Sequence, residues 1–255
     1  SNCFVMEVQD DMESIAKSVR DTMFIAKGTG GIGVSFTKLR AAGSPVRTTN
    51  TESTGPIPFM KMIDTALFAV SRKGKKAGAA AAYMENWHLN FSQFVDLRMN
   101  SGDPYLRTRF LDTAVFISDE FMRRVQADED WYLFDPAEVS DLSELYGAAF
   151  AERYAYYITQ AEAGKLRAYD KLPARQQFHR ILSSLQATGH PWLTWKDAIN
   201  LRALNNNTGT IHLSNLCTEI TLPQDEHNIA VCNLVSINLS AFLDDATGEW
   251  DWPRL

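Results

Sequence analysis

Cys3-Phe4-Val5-Met6-Glu7-Val8 is the first legible element of the chain, and together with the residues immediately after it, it decides the fold. Its residues are apolar apart from Glu7, the composition of a strand buried on both faces. Asp10 and Asp11 then offer a helix N-cap, and Met12, Ile15, Ala16, Val19 and Met23 recur at helical spacing. Gly28 is a stop signal, and 33–39 reads as a second strand. Strand, helix and strand in that order predict a mostly parallel α/β architecture.

The alternation continues downstream. Residues 40–57, rich in Gly, Ser, Thr, Pro and Asn, read as a long surface loop. A helix is expected over 58–70, with Phe59, Ile63, Ala66, Leu67 and Val70 on one face, then a small-residue strand over 78–84. A short helix near 91–99, a strand near 113–117, a helix opened by Ser118-Asp119 and a strand over 131–134 come next. Helical patterns occupy about 141–163 and 173–187, and Asn205-Asn206-Asn207-Thr208-Gly209 breaks the chain. Two extended segments close it, 210–222 and 229–239. No internal repeat, low-complexity tract or interdomain linker is visible.

Composition narrows the function classes. The 255 residues hold 25 Lys and Arg against 31 Asp and Glu, a net charge of −6, which argues against nucleic-acid or membrane-surface binding. No apolar run reaches the roughly 18 residues that cross a bilayer. Three cysteines, at 3, 217 and 232, are too few and too odd in number for a disulfide framework, so a reducing, cytoplasmic setting is expected. The chain begins at Ser1 with a candidate functional residue two positions on, and reads as a piece of something longer.

Several motifs invite a chemical reading. Gly28-Thr29-Gly30-Gly31-Ile32-Gly33 matches a dinucleotide-binding fingerprint, but that site needs a strand before the glycines and a helix after them. Here the order is reversed, so a tight helix-to-strand turn is expected, with glycines able to approach a ligand closely. Arg72-Lys73-Gly74-Lys75-Lys76 is either a solvated loop or a phosphate contact. His88, His179, His190, His212 and His227 are scattered without zinc-ligand spacing, so no metal site is expected. In Ser214-Asn215-Leu216-Cys217-Thr218-Glu219-Ile220, an extended strand would put Asn215, Cys217 and Glu219 on one face, about 6 to 7 Å apart per step. An amide, a thiol and a carboxylate in a row make a poor core face; they can bind, exchange hydrogen and accept a proton. A half-buried strand with a core-facing cysteine is the alternative. Cys3 and Cys232, each in an apolar strand, read singly as core residues.

At Asn215-Leu216-Cys217-Thr218-Glu219-Ile220 the sequence resembles the finger-loop motif of the large (α) subunit of ribonucleotide reductase. The resemblance extends to Ser1-Asn2-Cys3, Arg40-Ala41-Ala42-Gly43-Ser44-Pro45, Gly55-Pro56-Ile57-Pro58-Phe59-Met60, Trp87-His88 and Cys232-Asn233-Leu234. It implies an α/β fold, half of a ten-stranded α/β barrel with the central finger loop. The first five-stranded half would span 1–205, the finger loop 206–228, and the first strand of the second half 229–255.

The resemblance also implies roles. Cys217 would become a thiyl radical, Glu219 would take the 3′-hydroxyl proton, and Asn215 would hold the ribose hydroxyls. Cys3 and Cys232 would be the redox pair, and Asn2, Gly30 and Gly31 would touch substrate. Asp10, Arg40, Ser44, Val46 and Arg47 would bind a dNTP or ATP effector, with Arg72 and Lys76 in the specificity loop. The chain itself would hold no cofactor. Its radical would come from a partner metallo-subunit, the small (β) subunit (class I), or from adenosylcobalamin (class II). Thioredoxin or glutaredoxin, a ribonucleotide, a complementary C-terminal half of the α subunit and a second α subunit would be partners. A split or fragmentary subunit, inactive without that half, is therefore expected; a non-catalytic nucleotide-binding remnant is the alternative.

Overall fold

A computed structural model of the chain describes residues 2–46, 48–71 and 78–255. Arg47, Arg72 and Lys76 lie outside the described residues. In chain order the elements are β1 (Cys3–Glu7), α1 (Met12–Lys27), β2 (Gly31–Ser35), β3 (Pro45–Val46), β4 (Thr51–Glu52), α2 (Ile57–Val70), β5 (Ala79–Glu85), α3 (Phe91–Val95), β6 (Leu111–Ile117) and α4 (Asp119–Ala127). They continue with β7 (Asp130–Phe134), α5 (Gly147–Glu162), β8 (Tyr169–Pro173), α6 (Ala174–Thr188), β9 (Trp192–Trp195), α7 (Lys196–Arg202) and β10 (Ala230–Cys232). Local chemistry sets the ends. The Asp11 carboxylate accepts from Ser14 N–H to cap α1, and Ser118 caps α4 through Phe121 N–H.

The main sheet has the order β10-β1-β2-β5-β6-β9 among the described residues. β1, β2, β5, β6 and β9 run parallel, while β10 lies antiparallel against β1. Alternation along the strands separates two faces. Met6, Ile32, Val34, Ala80, Ala82, Met84, Val115 and Ile117 point outward into the helical layer. Val5, Ala81, Tyr83, Ala114 and Phe116 point to the inner face, which residues 211–216 cover instead of a helix. This is an α/β arrangement consistent with part of an α/β barrel.

Three expectations need correction. The segment near 131–134 is a strand but stands outside the parallel sheet: β7 pairs with β8 in a separate antiparallel ribbon, and Trp192–Trp195 is the fifth parallel strand. Residues 40–57 are not wholly irregular, since β3 and β4 pair there. Of the extended segment 229–239, only Ala230–Cys232 enters the sheet, opposite Val5, Phe4 and Cys3 of β1. The glycine string is a helix-to-strand turn, as its order predicts: α1 ends at Lys27 and β2 begins at Gly31.

Candidate active site

The inner face is shaped to seat residues 211–216. Ile211 and Leu213 are buried against Val5, Ala81, Tyr83, Ala114 and Phe116. Asn200, on α7, clamps the start of the segment: its Oδ1 accepts from Ile211 N–H at 2.8 Å and its Nδ2 donates to the Ile211 carbonyl at 3.0 Å. Gly33 in β2 lies directly beneath. A Cβ there would stand 1.9 Å from the Ser214 carbonyl oxygen, so only glycine lets the two backbones touch.

Asn215, Cys217 and Glu219 sit on a turn rather than on a strand face. Thr218 N–H donates to the Asn215 carbonyl at 3.2 Å, and Thr218 takes φ +66°, a left-handed conformation costly for a β-branched residue. The buried Asn215 side chain accepts from Glu219 N–H and Ile220 N–H, each at 3.1 Å, and donates to Glu219 Oε1 at 2.9 Å. Asn215 thus lies below the turn while Cys217 and Glu219 are exposed above it. The amide holds the carboxylate, and the Cys217 thiol lies exposed on the same turn. Tyr83, fully buried in β5, donates its hydroxyl to the Asn215 carbonyl at 2.8 Å. Burial pushes that hydroxyl far above the ordinary phenol range.

Cys3 and Cys232 are opposed residues of the antiparallel β1–β10 pair, both buried and both free thiols. Opposed Cα atoms in such a pair stand about 4.5–5.5 Å apart, inside the span of a disulfide. Cys3 Sγ also lies 3.9 Å from Glu219 Oε1, which joins the pair to the turn. Burial raises the Cys3 thiol, with Cys232 and Glu219 adding to the rise and Asn215 opposing it. Asn2 donates from Nδ2 to Asn233 Oδ1 at 3.1 Å, beside the pair. Gly31 borders Leu216, where a Cβ would have ordinary contact at 3.5 Å. The side of Gly30 that a Cβ would take is filled by Ile25 and Phe4, at 2.6 and 2.7 Å, rather than by residues of the turn.

The remaining expected residues gather elsewhere. Arg40 Nε donates to Asp10 Oδ2 at 2.7 Å, and Arg40 Nη1 reaches the Pro45 carbonyl at 2.9 Å. Burial pushes the Asp10 carboxyl up against the pull of Arg40. Ser44 is buried and hydrogen-bonds Asp135, which also holds Ala41 N–H and Arg167. Val46 is half-buried in β3, opposite Thr51. At the C-terminal ends of the strands, Glu7, Glu144 and His212 bring ligand atoms within 4.8 Å of one another, a spacing that suits a metal ion. Lys38 Nζ, however, already pairs with Glu7 at 2.9 Å and with Glu144 at 2.5 Å, so the local cation is an ammonium.

Sequence reasoning passed over Gly33, Tyr83, Asn200 and His212 as site-builders. Gly33 was visible only as part of a turn. Tyr83 carried a signal: Ala79, Ala81 and Tyr83 share one strand face, and a lone phenol among alanines marks a place where something must be reached. Asn200 and His212 act across the fold, which spacing along the chain does not reveal.

Comparison with known proteins identifies the family. The family model described as "Ribonucleotide reductase, barrel domain" matches residues 1–255. The chain is 42% identical over 239 residues to the ribonucleoside-diphosphate reductase subunit alpha of Chlamydia pneumoniae, covering 94% of this chain and 23% of that protein. It is 39% identical over 245 residues to the large subunit from Arabidopsis thaliana, covering 95% of this chain and 29% of that protein. Against the large chain of Neurospora crassa the identity is 36%, over all of this chain and 27% of the relative. The chain therefore spans about a quarter of the length of these relatives. The match of the family model to residues 1–255 establishes that the chain belongs to the ribonucleotide reductase barrel-domain family.

Proposed function

We propose that this chain forms part of the catalytic barrel of a ribonucleoside-diphosphate reductase and carries its reacting groups. The observation that supports this most is the meeting of a facing cysteine pair with a turn that presents thiol, carboxylate and amide. In the proposed cycle a Cys217 thiyl takes the 3′ hydrogen of the ribonucleotide and becomes a thiol. Glu219 takes the 3′-hydroxyl proton, a general-base task for a carboxylate within reach. The 2′-hydroxyl leaves as water. Cys3 and Cys232 supply two electrons and two protons and end as a disulfide, the step for which opposed thiols are arranged. Asn215 orients Glu219 and the ribose hydroxyls. At the end of turnover the Cys217 hydrogen returns to C3′ and restores the radical, so the net change is one ribonucleotide and two thiols to one deoxyribonucleotide, one disulfide and water.

The same reading assigns the other partners. Cys217 is exposed in this chain and radical chemistry requires exclusion of water, so the remainder of the barrel is needed to cover the turn. The initiating radical is supplied by a metal-bearing small subunit or, in the alternative class, by adenosylcobalamin. Thioredoxin or glutaredoxin re-reduces the enzyme in the cytoplasm. Asp10, Arg40 and Ser44 line an effector deoxynucleotide site. Met12, Met23 and Phe24 on α1 and Met62 and Phe68 on α2 are exposed apolar side chains on two helices that pack together, surface suited to a second α subunit. Among the described residues no helix is long and apolar enough to cross a membrane.

Substituting Cys217→Ser in the complete enzyme tests the reading. Turnover should be abolished while deoxynucleotide binding is retained. Undiminished reduction of ribonucleotides by that variant would defeat the proposal and favour a nucleotide-binding role for this chain.

A further inference from the structure

One carbonyl closes the turn that carries Cys217. The Asn215 main-chain oxygen takes the Thr218 amide at 3.2 Å and the Tyr83 hydroxyl at 2.8 Å. The first bond is local to the turn. The second comes from the middle of the sheet, 132 residues away in sequence, and fixes the turn to a strand. Such a fastening has work to do. Thr218 is held in a left-handed conformation, and a turn containing such a residue relaxes unless its surroundings hold it. Asn200 and Gly33 fix the segment earlier, at Ile211 and Ser214. Tyr83 adds a hydrogen bond from the sheet at Asn215, two residues before Cys217, where the later Leu216 has only apolar contact with the sheet among the described residues.

Chemistry restricts what the phenol can do there. Burial keeps its hydroxyl protonated throughout the working pH range. An amide carbonyl is an acceptor but a poor base, so the contact positions rather than transfers a proton. Tyr83 is fully buried among Val5, Ala81, Ala114, Phe116 and Leu213, so water is poorly placed to replace its donor. Resting on the reading of Cys217 as the hydrogen-abstracting group, we propose that Tyr83 is a positioning residue whose hydroxyl, through the Asn215 carbonyl, sets where Cys217 Sγ stands above the sheet. Hydrogen transfer depends steeply on the distance between sulfur and carbon, whereas the Asn215 side chain that orients the ribose keeps its own bonds to Glu219 and Ile220 when this one is lost.

The test is Tyr83→Phe in the complete enzyme with its radical source. The ring remains, and the Asn215 carbonyl keeps its Thr218 partner, so the fold should survive. We expect kcat to fall about five- to tenfold, with KM and effector affinity within about twofold of the parent. Replacing Tyr83 by 3-fluorotyrosine keeps the donor and should hold kcat within about twofold. An unchanged kcat in Tyr83→Phe would overturn the proposal. So would parallel losses in kcat, KM and thermal midpoint, which indicate general loosening, or an equal fall with the fluorinated phenol. Cys217→Ser assayed alongside separates the two claims. Turnover in that variant defeats the functional reading itself. A dead Cys217→Ser with a fully active Tyr83→Phe defeats the positioning role alone.

Discussion

At Cys3, burial is the largest influence on the thiol, and two acidic neighbours, Cys232 and Glu219, act with it; the Asn215 amide pulls the other way. The balance keeps the sulfur protonated, the form needed to give up hydrogen rather than to attack as a thiolate. Alkylation by iodoacetamide, followed residue by residue with mass spectrometry, should therefore be slow at Cys3 near neutrality and climb only above pH 9.0, the ordinary thiol value. Rapid labelling of Cys3 at neutral pH would contradict the site geometry. The neighbouring Asn215 shows how far single residues were legible. Its grouping with Cys217 and Glu219 could be read, but through the wrong backbone. An alternating strand was expected, whereas the Asn215 side chain captures the Glu219 and Ile220 amides and winds the chain into a turn. Asn favours this self-capping chemistry, which competes with extended structure.

Elements were legible where periodicity was strong and illegible where tertiary contact chose them. β1, α1, α2 and β5 follow from apolar spacing and caps. Trp192–Trp195 has only four residues behind a proline, too short to show a period, and becomes a strand because β6 offers a free parallel edge. Trp131 to Phe134 had the better strand composition, yet it pairs with β8 outside the main sheet. The contact between β2 and the 211–216 segment was equally hidden, since it depends on an atom that Gly33 lacks. It makes a paired prediction. Gly33→Ala would drive a Cβ to 1.9 Å from the Ser214 carbonyl and should cost about 1–3 kcal/mol, with new protease cleavage within 211–220. Gly31→Ala, two residues earlier on the same face, meets Leu216 at 3.5 Å and should stay within about 0.5 kcal/mol of the parent. Urea midpoints for the two variants read the difference; equal effects would mean that the segment does not lie on β2.

At the scale of the whole molecule, charge collects where the strands end. Lys196 is wholly buried and donates to Glu85 Oε1 at 2.8 Å and to the Ser143 carbonyl at 2.7 Å, while Trp87 Nε1 holds the other Glu85 oxygen at 2.6 Å. Beside them, desolvation works against ionisation of Glu144, but His212 and Lys38 overcome it and hold the carboxyl down to about 2. That side chain is 46% exposed, so solvent screens much of its contribution. What it contributes is present above its ordinary 4.5 and is lost only as pH falls below that value. His88 acts at milder pH. It is fully buried, its Nε2 faces the Leu39 carbonyl at 2.8 Å and its Nδ1 accepts from Asn90 N–H at 3.0 Å, so the folded protein uses the neutral ring. Burial lowers its pKa from 6.5 to about 4. The folded state therefore binds this proton less readily than the unfolded chain. Its stabilising share is complete above 6.5 and shrinks as pH falls toward 4. By pH 5 the loss should reach about 2 kcal/mol. Urea unfolding of the complete protein followed from neutral pH to pH 5 should show that decline. His88→Gln, whatever its stability at neutral pH, should flatten the slope over this interval, because no group at that position then takes up a proton on unfolding. An unaltered slope would assign the acid sensitivity to other groups and would mean that His88 already carries its proton inside the fold.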